Sequence, residues 1–576
     1  MANFTVSPGV AISEIDNTFL TGQPVQAGAA IIGPTVKGPV EKPTLVTSYS
    51  DFQMLFGDSF ISGGNAYSYL TSIAAYNYFN YGGTSLLVAR VVTESGNWTS
   101  AQSTTISSYL NATSASFVLE TISEGVINNN SGSNTLGTNG ALNSGSVENV
   151  RWEVTNSTSG SGTFNVLVRR GNDIETNKII LEAWNNVNLD PNSSRYIAQV
   201  IGDQKLSYNS VTNQMDVSGS YPNNSKYVRV RSVNYPTPNY FDANGVAISA
   251  YTASLPLNGS GSAGGSFTGA TGTVNNTINL YDTISTNTQG LIGASYNNMI
   301  ALLGNPEAYQ FNLLFTPGLI NDVAGHTSQI TNIILNTQNR GDSMFVVDLS
   351  SYGSNIPQTT AQAQSRDTSY AAAYWPWVRI IDPATGKHVW VPASTVIPGV
   401  YAFNDKVSAP WFAPAGINRG GLSTVLQAEL KLTQGNRDTL YINNINPIAT
   451  LPKQGVVVFG QKTLQKSDSA LDRVNVRRLM IELKNYIRQV ADTVVFEQNT
   501  IQTRNSFLAR VNPYLEGIQQ KQGLYAYQVI MDDSNNGPAV IDQNQLVGQI
   551  YIQPTRTAEF ISLDFILLPT GAQFPG

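Results

Sequence analysis

The chain closes on an extended run, GQIYIQPTRTAEFISLDFILLPTG (548–571), in which Ile561, Leu563, Phe565 and Leu567 fall on one side of a long strand. Its opening repeats the pattern. In NFTVSPGVAISEID the residues Phe4, Val6, Val10 and Ile12 share one face, and Pro8 removes a ladder donor in mid-run. A strand with an apolar face at a chain end is an aggregation hazard unless something covers it, and donating it to another copy turns the hazard into a joint. Whatever the chain folds into must supply mates for two terminal strands.

At 576 residues the chain is too long for one core, and about two to four domains are expected. Charged residues make up 12% of it, against about 25% in ordinary soluble domains, so Ser, Thr, Asn, Gln and Gly must cover much of the surface. Such a surface has little repulsion to keep copies apart. A net charge of −6 argues against nucleic acid as a partner. The absence of cysteine removes disulfides, zinc-cysteine sites and thiol catalysis. No secretory signal is expected from MANFTVSPGV, which has neither a basic nor an apolar region. The richest apolar run, FISLDFILL, is broken by Asp564 and falls short of the roughly 20 residues of a membrane span, so no membrane insertion is expected.

Along the chain, AAII (29–32) reads as a buried strand, Ser48 caps a helix over YSDFQMLF that stops at Gly57, and NAYSYLTSIAAYNYFNY (65–81) reads as a second helix before the strand SLLVARVV. Composition then shifts: no Lys or Arg occurs between Arg90 and Arg151, and residues 96–164 read as an exposed β-rich or loop-rich insertion. TFNVLVRRG, KIILEAW and KYVRVRSV are strand-like. FNLLFTPGL, GHTSQITNIILNTQN and SMFVVDLS form a βαβ unit, which implies a parallel sheet. Asp382-Pro383-Ala384-Thr385-Gly386 is a turn between two strands. From 441 onward an α+β unit runs to the end.

Catalytic chemistry is thin. The two histidines are His326 and His388. A Ser-His-Asp site can be drawn from His326 and Asp348, since Asp348 ends a parallel strand, but His326 beside Gly325 at a helix start suits packing or capping better. No phosphate-binding Gly-rich motif and no His pair at zinc spacing is present, and no carboxylate pair stands out. No enzyme activity, cofactor or metal is expected.

The sharpest pattern lies in SALDRVNVRRLMIELKNYIRQVADTV. Ser469 and Asp472 resemble a capping box, and Val476, Met480, Leu483, Ile487, Val490 and Val494 make a buried stripe. Arg473, Arg477, Lys484 and Arg488 flank that stripe in a line. Two readings stand: a solvated basic face, or a docking face for an acidic partner, where charge sets register and on-rate.

SPGVAISEID, AAIIGPTVKGPV, NYFNYGGTSLLVARVV and YWPWVRIIDPATGKHVWVPAS resemble the tail sheath proteins of contractile-tailed bacteriophages. The likeness is strongest from INNINP through VVVFGQKTL, LDRVNVRRL and YLEGI to NNGPAVIDQNQLVGQIYIQPTRTAEFISLDF, and is of the T-even type. It covers the N-terminal third of the core and nearly all of 300–576. At 374 this chain has Tyr-Trp-Pro-Trp, where Tyr-Tyr-Pro-Trp is commoner.

The resemblance implies an α/β and α+β multidomain fold. Its parts would be an N-terminal arm (1–22) donating a strand, a subtilisin-like α/β middle domain without protease activity (23–95 and 165–435), a protruding insertion (96–164), and a C-terminal α+β assembly domain with its own donated strand (436–576). It further implies a helical homopolymer around a tail tube, contacts with baseplate and tail terminator proteins, and a place in the virion after synthesis in the host cytoplasm. Arg473, Arg477, Lys484 and Arg488 would then face the tube. A self-assembling surface-layer or adhesin-like protein is the alternative; it predicts a secretion signal and no cationic helix.

Overall fold

The computed structural model describes residues 25–62, 64–93, 97–110, 114–127, 136–260, 265–274, 284 and 286–560. The terminal strands read at Phe4, Val6, Val10 and Ile12, and at Ile561, Leu563, Phe565 and Leu567, lie outside the described residues. What is described is a mixed α/β chain of several packed units.

Its centre is an eight-stranded sheet. From one edge the order is Gly455–Val458, Ile445–Leu451, Ala371–Trp375, Met344–Asp348, Leu313–Ile320, Ala29–Gly33, Leu86–Arg90 and Thr44–Val46. Neighbours run parallel except the outermost pair at each edge. Parallel strands are covered on both faces, which is why short unbroken apolar runs such as AAIIG and MFVVD specify them: every residue in both is buried. Alternation sorts their side chains. Ile31, Val88, Phe315 and Val346 face one way, against helices Tyr49–Phe56, Leu70–Asn80 and Ile397–Val407. Ile32, Leu87, Leu314 and Phe345 face the other, against Asn297–Leu302, Thr327–Arg340 and Gln434–Ile442.

Several local expectations hold. The Ser48 hydroxyl accepts from the Asp51 N–H at 3.1 Å and the helix stops at Gly57. The βαβ unit is Leu313–Ile320, Thr327–Arg340 and Met344–Asp348, with its strands parallel. The Asp382 carboxylate accepts from the Ala384 N–H and the Thr385 hydroxyl, closing the turn between Val378–Ile381 and His388–Val391.

Three expectations need correction. The helix read over 65–81 begins only at Leu70, because Asn65–Ser68 pairs with Ser59–Ser62 while the Phe60 ring packs on Tyr67 and Tyr69. The boundary at 164 falls inside a hairpin: Thr163–Arg170 pairs with Val150–Thr158, and one hydrophobic core runs from Ala101 to Phe267. The polar stretch after residue 96 is therefore the first part of a larger β unit with its own core, not a loose exposed insertion. The boundary at 436 cuts off Ile445–Leu451 and Gly455–Val458, which complete one edge of the central sheet.

The β unit stacks a three-stranded sheet (Val150–Thr158, Thr163–Arg170 and Ile180–Asn188) on a four-stranded one. Beside its apolar core lies a buried ion network. The fully buried Arg169 guanidinium bridges Asp173 (2.8 Å) and Glu153 (2.6 Å), while Arg151 reaches Asp173 and Lys178 reaches Glu153. Removing one member strands its partners without solvent. Arg169→Ala is expected to lower stability by about 3–5 kcal/mol in urea denaturation, against less than about 0.5 kcal/mol for the exposed Lys205→Ala.

Candidate assembly surface

The helix expected to carry the partner-facing cations is Val474–Asp492, entered through a short 3₁₀ turn at Ala470–Asp472. Ser469 caps that turn, accepting from the Leu471 N–H at 3.1 Å, and Asp472 pairs with Arg473 rather than closing a capping box. The first half of the helix lies in the interior: Val474 and Ile481 pack into the same core as the central sheet. Its second half pairs with helix Ile501–Gln520 through Leu483, Phe507, Val511 and Leu515, and Tyr486 stacks on Tyr514 at 3.6 Å. Of the expected stripe, Val476, Leu483 and Val490 are buried, while Met480, Ile487 and Val494 are partly so.

The line of four cations divides in two. Arg473 Nε donates to the Glu559 carboxylate at 2.9 Å. Arg477 is buried, its guanidinium 4.1 Å above the Tyr370 ring and bonded to the Ser369 hydroxyl. Arg477 is thus withdrawn from solvent, and Arg473, half-buried, is committed to Glu559 within the chain. Lys484 and Arg488 do face solvent. Arg488 opens onto a groove of about 570 Å³ that it shares with Glu307, Asp342, Glu482 and Asp492, so its surroundings are acidic rather than basic.

Sequence reasoning missed the strongest member, Arg478. It donates two hydrogen bonds to Asp405 of helix Ile397–Val407, at 2.8 and 2.5 Å, with its guanidinium 4.8 Å over the Tyr401 ring. Tyr401 and Tyr374 share a hydroxyl hydrogen bond beneath it, and burial pushes Tyr401 up to about 12. The available signal was an arginine at i+4 from Val474 and i−3 from Ile481, on the core side of the helix. With Arg477, bonded to Ser369 and stacked on Tyr370, it rivets the C-terminal unit onto the central sheet. Asn475 adds a bond to the Trp411 carbonyl, and the Trp411 indole N–H donates to the Lys521 carbonyl.

Beyond the helical pair, Leu524–Ile530 and Gln549–Pro554 form an antiparallel pair to which no third strand is added among the described residues. The chain then passes Glu559, whose carboxylate accepts from Tyr441, Gln461 and Arg473. Three donors from three segments thus hold Glu559 against the body.

The catalytic candidates do not assemble. Asp348 accepts from the Ser394 N–H and hydroxyl, whereas His326 Nδ1 accepts from the Ile320 N–H at 3.3 Å. Burial lowers His326 to about 4 and raises Asp348 to about 7. His388 is exposed at the start of its strand. Ligands of open α/β sheets bind where the strand order reverses, here between Ala29–Gly33 and Leu313–Ile320. That crevice is occupied by the chain itself: Thr288 donates to the Gly318 carbonyl, and Gln289 donates to Pro317 and accepts from the Leu70 N–H. Gly318, at φ +96°, is required there, since a Cβ would lie 2.3 Å from the Gln289 amide.

Residues 289–464 match the family model of the phage tail sheath protein central domain, and residues 466–567 match that of the phage tail sheath C-terminal domain. Residues 289–567 are thus similar to the two consecutive domains of phage tail sheath proteins. The chain is 34% identical over 233 residues to the tail sheath protein of Vibrio phage KVP40, covering 40% of this chain and 35% of that one. It is 41% identical over 185 residues to the tail sheath protein of Enterobacteria phage T4, covering 32% and 28%. The matched stretches thus span about a third of these relatives' lengths. A crystal structure of a sheath tail protein from Listeria innocua superposes over 92% of this chain and 93% of that one, with a TM-score of 0.53 at 11% identity, which shows a shared fold. The boundary between the two family models, at 464–466, lies just before the arginine joint, so Arg477, bonded to Ser369, and Arg478, bonded to Asp405, fasten the segment that matches the C-terminal model to the segment that matches the central one.

Arg478→Ala leaves Asp405 unpaired beside the core and is expected to cost about 3–5 kcal/mol, with new proteolytic cleavage between 459 and 474. Lys484→Ala is expected to stay within about 0.5 kcal/mol of the parent. A pH series reads Asp348: its carboxyl is held at about 7 in the fold against 3.8 in the open chain, so its contribution is full below pH 3.8 and lost as pH rises through 7. The stability of Asp348→Asn relative to the parent should therefore climb by up to about 4 kcal/mol between pH 4 and pH 8.

Proposed function

We propose that copies of this chain polymerise into a helical sheath around a tail tube and contract to drive the tube through a host envelope. The observation that carries the reading is the match of consecutive segments to both sheath domain models, reaching from 289 to 567. The surface-layer alternative has no such support.

The N-terminal arm (1–22) and the last residues, with Phe4, Val6, Val10 and Ile12 on one and Ile561, Leu563, Phe565 and Leu567 on the other, donate strands to neighbouring copies. The two-stranded C-terminal sheet, incomplete as it stands, is a suitable acceptor. Each donated backbone hydrogen bond adds about 1 kcal/mol net. Donor and acceptor are different surfaces, so the contact is head-to-tail and closes rings or propagates a helix. The central domain serves as a subtilisin-like scaffold without enzymatic activity, a reading supported by its parallel sheet and its filled crevice. Contraction needs two packings of nearly equal free energy per subunit, multiplied along the lattice.

Lys484 and Arg488 remain the tube-facing cations of this reading, now without Arg473 and Arg477. Baseplate and tail terminator proteins are the partners at the sheath ends, the virion tail is the destination and the host cytoplasm the place of synthesis; neither cofactor nor nucleic acid takes part.

Deleting residues 1–14 is expected to leave soluble monomers in negative-stain micrographs, while the full chain gives hollow tubes. Tubes from the shortened chain would remove strand donation from the N-terminus. Lys484→Glu with Arg488→Glu should reduce co-assembly with purified tube protein by about tenfold and leave sheath-only polymers unchanged. Equal loss of both would count against docking.

A further inference from the structure

Phe496, in the turn between helices Val474–Asp492 and Ile501–Gln520, is fully exposed at 101% and holds a left-handed backbone at φ +70°. A bulky residue at positive φ is uncommon, and the exposed ring has no contact among the described residues to account for it. Val495 and Ile501 beside it are also exposed, making an apolar knob flanked by the exposed carboxylates of Asp492 and Glu497.

A complementary surface lies at the other end of the same helix. A groove of about 400 Å³ has Ala415, Pro447 and the 45% exposed Phe459 in its walls, with Arg419 and Arg437 at its rim beside Asp438. The two arginines stack at 5.1 Å on Phe412 and 5.7 Å on Phe459, and neither joins an ion pair among the described residues. An apolar cavity of about 150 Å³ takes one benzene ring, so this groove has room for a phenyl group and its neighbour.

We propose that Phe496 of one copy seats in the groove beside Phe459 of a second copy, with Glu497 meeting Arg419 and Arg437; the contact rests on the polymer reading above. Knob and groove cannot meet within one chain. Glu559 and Gln461 of the groove sit where the helix begins, and its 19 residues, at about 1.5 Å each, put the knob about 28 Å away. Two different surfaces on one copy make a head-to-tail contact, which propagates rather than closing as a dimer. Charge agrees with the pairing: of the groove's charged groups Glu559 is taken by Arg473, and the guanidinium groups of Arg419 and Arg437 outnumber the remaining carboxylate of Asp438.

The chain contains no cysteine, so introduced thiols report without background. Phe496→Cys and Phe459→Cys, made in separate chains, mixed and treated with a short bismaleimide, should give a cross-linked heterodimer, while neither variant alone should cross-link. Glu497→Arg should raise the concentration needed for assembly by about tenfold, and mixing with Arg437→Glu copies should restore part of it, with both monomers unfolding at the parental denaturant midpoint. Tubes that form without the cross-link would overturn the contact and leave the polymer reading standing. Cross-linked pairs without tubes would keep the contact and remove the helical reading. Protection of the Phe459→Cys thiol from maleimide in the dilute monomer, lifted by deleting residues 561–576, would put the chain's own tail in the groove and also overturn the proposal.

Discussion

The guanidinium of Arg478, held by Asp405 and lying over Tyr401, fastens the C-terminal helix to a helix packed on the central sheet. An arginine suits the position because its fork satisfies both carboxylate oxygens while its flat face packs on an aromatic ring. Arg477 over Tyr370 repeats the device on a neighbouring segment, and Arg473 lies 5.9 Å over the Tyr441 ring. Together they place the start of the C-terminal helix in fixed relation to the central sheet.

The same economy appears elsewhere. In a chain with only 12% charged residues, Arg90, Arg151, Arg169, Arg477 and Arg478 are all buried. Arg90 illustrates the use: it donates to the carbonyls of Gly38 and Glu124, tying the loop after the first central strand to the β unit, and burial lowers its pKa to about 10. Arg90 and Arg478 thus put charge at joints between units, where its removal is costly.

That allocation explains where the sequence was legible. The βαβ unit, the cap at Ser48 and the Asp382 turn could be read because their signals are local: an apolar run of strand length, a hydroxyl before a helix, a carboxylate answering two donors in its own turn. The helix expected from 65 failed because aromatic packing among Phe60, Tyr67 and Tyr69 outweighs the helical propensity of NAYS. The boundary at 164 failed because composition marks the polar start of the β unit but not its core, which Val166, Val187 and Phe267 complete from later segments. The cationic line was visible, but its destination was not. Scarcity of charge suggested an outward face, whereas Tyr370 and Glu559, the partners that hold Arg477 and Arg473 inside, lie some hundred residues away in sequence and carry no helical periodicity.

The central claim is that the C-terminal unit and the central sheet move as one body. Spin labels at Ala361→Cys on the central domain and Gln520→Cys on the C-terminal helical pair measure it by dipolar spectroscopy, with the chain free of other thiols. The account predicts one narrow distance distribution, the same for monomers in solution and for copies in assembled tubes. A broad monomer distribution, or a shift on assembly, would contradict it.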